Sequence, residues 1–133
     1  LAVCTNKSES LALDLLDHLN LSRRFAAITG GDTFAVRKPH GDHVLGTIAK
    51  AGGAADNAVM IGDSVNDILA AQNAGIPAIA VPFGYSDKPV DSFGPDIVIE
   101  HFDRLDADLV RELIAGRRTG QAQAAQPQLR SGG

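Results

Sequence analysis

Apolar positions fall along this chain as short runs that alternate with longer stretches of helical spacing. Leu1 to Cys4 is an apolar run closed by the polar Thr5, Asn6, Lys7 and Ser8, and Leu11, Leu15, Leu16 and Leu19 then follow at helical spacing. This predicts a strand feeding a helix that Ser8 caps. Phe25 to Ile28 reads as a second short strand, ended by the turn composition Thr29-Gly30-Gly31-Asp32. A helix is predicted from about Pro39 to Ala51, stopped by Gly52 and Gly53. Val59, Met60 and Ile61 form the next strand, and Val65 to Ala74 repeats at helical spacing up to Gly75. Pro77 to Val81 and Ile97 to Ile99 are further strand candidates, and a last helix is expected over about Asp103 to Ala115.

Short apolar strands alternating with helices across brief connections imply parallel strands in right-handed crossovers, an α/β fold with a doubly wound sheet. In such sheets ligands bind beyond the carboxyl ends of the strands. Chemistry is therefore expected at Thr5, at Gly30 to Asp32 and at Gly62 to Asp63. Residues 1–115 form the expected domain. Residues 116–133, rich in Gln, Ala and Gly without a stable apolar stripe, are expected to be a disordered tail.

Composition narrows the class further. With 133 residues, 44% apolar and 21% charged, the chain has the balance of a globular domain. Its single cysteine, Cys4, cannot form an internal disulfide, which suits a reducing, cytoplasmic setting. The apolar run Ile76 to Phe83 is broken by Pro77 and Pro82 and is too short to span a bilayer, so no membrane partner is expected. The net charge is −4, and residues 1–115 alone carry −7, a poor footprint for nucleic acid. An anionic small molecule fits only where a metal or a placed cation reverses the local field.

Ile61-Gly62-Asp63-Ser64-Val65-Asn66-Asp67 is the most informative segment. A strand ends, Gly62 lets the backbone turn, and two carboxylates fall four apart. Hard cations such as Mg²⁺ take oxygens supplied in this way. Ser64-x-x-Asp67 is also a helix-capping arrangement, which accounts for Asp67 by itself but leaves Asp63 unexplained. Lys38-Pro39 is the second signal. Proline suits a first helical turn, which puts Lys38 at or near the N-cap, where a cation opposes the helix dipole. On that placement, removal of Lys38 would cost no stability. Thr5 and the amides after it could hold a phosphoryl oxygen, or Thr5 could only satisfy its own turn. Cys4 reads as a small core residue, and His40 and His43 as surface histidines.

In order, Ala2-Val3-Cys4-Thr5-Asn6-Lys7, Gly30-Gly31-Asp32, Lys38-Pro39, Ile61 to Asp67 and Ala71-Gln72-Asn73-Ala74-Gly75-Ile76-Pro77 resemble the haloacid dehalogenase superfamily. Phe83-Gly84-Tyr85 and Asp96-Ile97-Val98-Ile99 add a likeness to its phosphoglycolate phosphatases. The resemblance covers about Leu1 to Leu105. It implies a Rossmann-like core with helices on both faces, truncated at its N-terminus. Thr5 and Asn6 would bind the phosphoryl group, Lys38 would bind it and serve catalysis, and Asp63 and Asp67 would be the acids around Mg²⁺. The substrate implied is a small phosphorylated metabolite, 2-phosphoglycolate, hydrolysed through an aspartyl-phosphate.

Two departures stand out. Gly41 replaces a usual proline, and the Asp-x-Asp motif that carries the nucleophile, together with the substrate-selecting cap domain, would precede Leu1. Asp106-x-Asp108 has the right letters but lies in a helical pattern. The alternatives are an inactive fragment that binds Mg²⁺ or a partner chain, and a phosphoacceptor receiver module. Receivers place their acids first and their lysine last, the reverse of the order here.

Overall fold

The computed structural model describes residues 1–82 and 93–125, with the backbone alone for 118–125. Five strands and four α-helices alternate within it: β1 (Ala2–Cys4), α1 (Glu9–His18), β2 (Ala27–Thr29), α2 (Gly41–Lys50), β3 (Met60–Gly62), α3 (Val65–Ala74), β4 (Ala78–Ala80), β5 (Ile97–Val98) and α4 (Ala107–Ala125). Every strand pairing among the described residues is parallel, as the alternation requires. Phe83-Gly84-Tyr85 lies outside the described residues.

β4 shows how one short strand builds two cores. Successive side chains alternate between faces, and all three of its residues are buried. Ala78 and Ala80 pack with Val44 of α2 and Ile68, Ala70 and Ala71 of α3. Ile79, followed by Val81, packs with Ile99 and with Leu109, Val110 and Leu113 of α4. The small residues lie where α2 and α3 crowd the sheet, and the β-branched ones where α4 covers it. Helices thus lie on both faces, as expected for a doubly wound sheet. Cys4 packs against the first of these clusters, in keeping with a core role.

The strands form two separate sheets, β1 with β2 and β3 with β4 and β5. Between them lies a cavity of about 660 Å³, lined by Ala2, Val3 and Cys4 on one side and Val59, Met60 and Ile61 on the other. Two strand edges without a partner among the described residues therefore line one apolar groove.

Some expectations shift. Helix α2 begins at Gly41 with His40 as N-cap, whose Nδ1 accepts from the Asp42 amide at 3.1 Å. Pro39, joined to Lys38 through a cis peptide, lies outside it. The stripe Leu11, Leu15 and Leu19 of α1 is 58%, 51% and 56% exposed, while Ala12 is buried. α1 packs on β2 and on the 3₁₀ turn Ser22–Arg24, and the stripe lies away from both. Ser8 caps α1 as expected. The expected last helix instead divides into a 3₁₀ turn, Phe102–Arg104, and α4, which Asp106 caps through the Leu109 amide at 2.8 Å. α4 continues past Ala115 to Ala125, into the segment expected to be disordered. The rest of that expected tail, 126–133, lies outside the described residues.

Gly41 is where α2 meets α3. A Cβ there would lie 2.7 Å from the carbonyl carbon of Asn73 and 2.8 Å from the amide nitrogen of Ala74, both main-chain atoms that cannot rotate away. Gly41→Ala is therefore expected to destabilise the fold by about 1–3 kcal/mol, against a helix-propensity gain of at most about 1 kcal/mol. Urea unfolding measures it, and an unchanged or raised midpoint would show that the two helices do not pack this closely.

Candidate functional site

Three strand ends meet at one edge. β1 runs into Thr5, Asn6 and Lys7, β2 into Gly30 and Gly31, and β3 into Gly62 and Asp63. The first two turns are locked together: the Gly31 amide donates to the Lys7 carbonyl at 2.8 Å, and Asp32 Oδ1 accepts from the Glu9 amide at 2.8 Å. A Cβ on Gly30 would collide with the main chain of Glu9 and Lys7, so only glycine allows this approach.

Lys38 reaches this edge from the segment before α2. Its Nζ lies 2.5 Å from Asp67 Oδ1, and the two side chains are only 8% and 9% exposed. The placement at a helix start, opposing a dipole, is therefore corrected: α2 begins three residues later, and the lysine is neutralised by a carboxylate from a different helix. Both oxygens of Asp67 have partners. Its Oδ2 accepts from the amides of Asp63 and Ser64, at 3.2 and 3.3 Å, and from the Ser64 hydroxyl at 3.1 Å. Ser64 Oγ in turn accepts from the Asp67 amide, which completes a capping box. Gly62 makes room for this, since a Cβ there would overlap the Asp67 side chain.

The main chain of Lys38 is held as firmly as its side chain. Asn6 Nδ2 donates to the Lys38 carbonyl at 2.9 Å, and the Lys38 amide donates to Asn6 Oδ1 and to His43 Nδ1, each at 3.1 Å. The Asn6 side chain thus faces the lysine. His43, expected on the surface, is 0% exposed. Thr29 and Thr47 lie within hydrogen-bond distance behind it, and its ring meets Phe34 edge-on at 5.8 Å. Its position on α2 turns it inward onto Thr29, Phe34 and the Lys38 amide, and the His-x-x-His spacing gave no sign of that. Thr5 Oγ1 accepts from the Lys7 amide at 3.2 Å, so the hydroxyl closes its own turn and keeps its proton for a further acceptor.

Burial, and secondly the Lys38 charge, lower the His43 pKa from its ordinary value of 6.5. The unfolded chain then binds a proton more readily than the folded one. His43's contribution to stability is present above pH 6.5 and is lost as the pH falls through the lowered folded-state value.

Among the described residues, no group of three or more His, Cys, Asp or Glu converges as a metal site. Asp63 is exposed at the tip of β3, beside the engaged Asp67. This donor set fits a hard cation that takes one or two carboxylates and completes its shell with water and phosphate.

Residues 1–81 match the family described as haloacid dehalogenase-like hydrolase, and the chain belongs to it. Among its relatives, the phosphoglycolate phosphatase of Agrobacterium fabrum (strain C58) is 56% identical over 115 residues, which are 86% of this chain and 49% of that protein. The phosphoglycolate phosphatase of Mesorhizobium japonicum is 54% identical over 86% of this chain and 50% of its own. The chain thus spans about half the length of these relatives. Among solved structures, CbbY from Rhodobacter sphaeroides in complex with phosphate superposes with a TM-score of 0.73 at 27% identity, over 85% of this chain and 51% of that one. A HAD-superfamily hydrolase from Geobacter sulfurreducens gives 0.67 at 28% identity, over 83% and 48%. No helix among the described residues is long and apolar enough to cross a membrane.

Removing the lysine leaves a buried carboxylate without its cation. Lys38→Met is expected to cost about 3 kcal/mol. Lys38→Met with Asp67→Asn, which keeps the cap but removes the charge, should lose less. Urea unfolding of both variants decides it, and a Lys38→Met protein as stable as the wild type would mean that the pair contributes nothing.

Proposed function

We propose that this chain is the C-terminal part of the catalytic core of a Mg²⁺-dependent phosphate monoester hydrolase, acting on 2-phosphoglycolate. The observation that carries the reading is the buried Lys38–Asp67 pair at the edge where Thr5 and Asp63 end their strands. Phosphoglycolate phosphatases at 56% and 54% identity support the substrate.

Each residue then has a role. Lys38 Nζ has three N–H donors. One meets Asp67, and the others neutralise phosphoryl oxygens as charge develops on them. The Thr5 hydroxyl donates its remaining proton to a phosphoryl oxygen, and Asn6 holds the lysine main chain from below. Asp63 holds the Mg²⁺, which when bound adds positive charge against the phosphate. Asp67 fixes the lysine through Oδ1, which has acceptor capacity left to share the Mg²⁺ with Asp63. None of these groups is a nucleophile. In-line attack falls to an aspartate from another segment of the longer protein. Its oxygen displaces the substrate alkoxide from phosphorus, a second acid protonates that alkoxide, and water then releases inorganic phosphate from the aspartyl-phosphate.

The groove between β1 and β3 has room for such a segment. Its cavity of about 660 Å³ is lined by the β1 and β3 edges, each three residues long. An Asp-x-Asp strand seated there would end beside Lys38, Thr5 and Asp63. A small phosphorylated metabolite as substrate and a cytoplasmic location belong to the same reading.

The 133-residue chain is expected to release no phosphate from 2-phosphoglycolate or an aryl phosphate, with or without Mg²⁺. The longer protein that contains it should do so with Mg²⁺, and Asp63→Asn should lower that turnover about tenfold or more. Phosphate release measures both. Turnover by the isolated chain that Asp63→Asn abolishes would place the nucleophile within these residues, with Asp106 and Asp108 the first to test.

A further inference from the structure

Asn6 and Asp67 account for one side of Lys38, and the other side rests on a histidine that none of the proposed chemistry uses. His43 lies on α2 and is 0% exposed, so each of its ring nitrogens needs a partner inside the protein. The pattern of donors fixes what those partners are. The Lys38 main-chain N–H can only donate, and it points at His43 Nδ1 as well as at Asn6 Oδ1, each at 3.1 Å, so Nδ1 is the unprotonated nitrogen. The proton of the neutral ring is then on Nε2, which donates to Thr29 Oγ1 at 3.3 Å. Thr47 Oγ1 donates to the His43 carbonyl at 2.7 Å, and the single Thr29 proton faces Thr47 Oγ1 at 2.6 Å and the Val3 carbonyl at 3.3 Å, so Thr29 Oγ1 is an acceptor toward the ring. The ring therefore links the Lys38 amide on one side to Thr29 on the other, and Thr29 in turn meets Thr47 and the Val3 carbonyl of β1. No buried side-chain polar atom among the described residues is left without a partner.

We infer that His43, as the neutral Nε2–H tautomer, is a positioning residue that fixes the Lys38 main chain through Nδ1 and so places Lys38 Nζ for the phosphoryl group. The inference deepens the phosphatase reading and rests on it for the role of the lysine. A ring that served only to fill the core of α2 and tie it to β2 would need Nε2 and its bond to Thr29. A ring that positions the lysine needs Nδ1. The two nitrogens can be tested apart, because an asparagine side chain offers an acceptor near the Nδ1 position, whereas glutamine reaches the Nε2 position.

The experiment uses the longer protein with its histidines labelled with ¹⁵N, and measures kcat/KM on 2-phosphoglycolate for the wild type, His43→Asn, His43→Gln and His43→Phe. His43→Gln and His43→Phe are expected to lose about tenfold or more, with His43→Asn recovering most of the loss, and thermal unfolding records the stability of each. Equal losses in His43→Asn and His43→Gln, or a better result for glutamine, would overturn the assignment. The imidazole ¹⁵N shifts of the wild type need no variant to fold. Nδ1 should show the shift of an unprotonated nitrogen and Nε2 that of a protonated one, and the opposite tautomer would overturn the inference. A wild type without phosphatase turnover would count against the phosphatase reading alone, with the tautomer still deciding the hydrogen-bond role of His43.

Discussion

The buried ion pair between Lys38 and Asp67 is the contact on which the rest of this edge depends. A lysine with 8% of its side chain exposed and an aspartate with 9% are stable together and costly apart. The pair can form only if three connections arrive at the same place. β1 brings Asn6 under the lysine, α2 brings His43 against its amide, and the turn after β3 brings Asp67 through its capping box. Fold and site are therefore one problem here. The groups that would meet a phosphoryl oxygen are held by the contacts that join β1 to β3 across the groove.

That groove also explains what the chain leaves exposed. Among the described residues, β1 and β3 each lack a partner on the side lined by Val3 and Ile61. On α1, the stripe Leu11, Leu15 and Leu19 faces solvent. Apolar surface and unpaired strand edges of this kind favour association. The chain spans about half the length of its relatives, which fits a sheet that is completed by other residues. The ion pair, closed from the carboxyl end of the strands, ties the two part-sheets together while the groove stays open.

The glycines follow from the same crowding. Gly62 makes room for the Asp67 carboxylate, Gly30 lets the turn after β2 touch the start of α1, and Gly41 lets α2 meet the main chain of α3. Each occurs where main chain or a charged group must approach closer than a Cβ allows.

Much of this was legible in the sequence, for a physical reason. Strand and helix periodicity, the Ser8 and Ser64 caps and the stop at Gly75 are local, so the amino-acid order determines them, and with them the parallel α/β fold. The placement of Asp63 and Asp67 after a strand was legible for the same reason. What only the tertiary structure decided depends on partners far apart in the chain. Lys38 was read against the nearest helix, because its true counter-charge lies 29 residues away. His43 was read as a surface residue, because a polar letter does not reveal that Thr29 and the Lys38 amide will satisfy it inside. The exposure of the leucine stripe of α1 was not legible, because spacing reports which face of a helix is apolar but not whether anything covers it. Hydrogen bonds, ion pairs and burial are settled by which surfaces meet, and local sequence does not encode that.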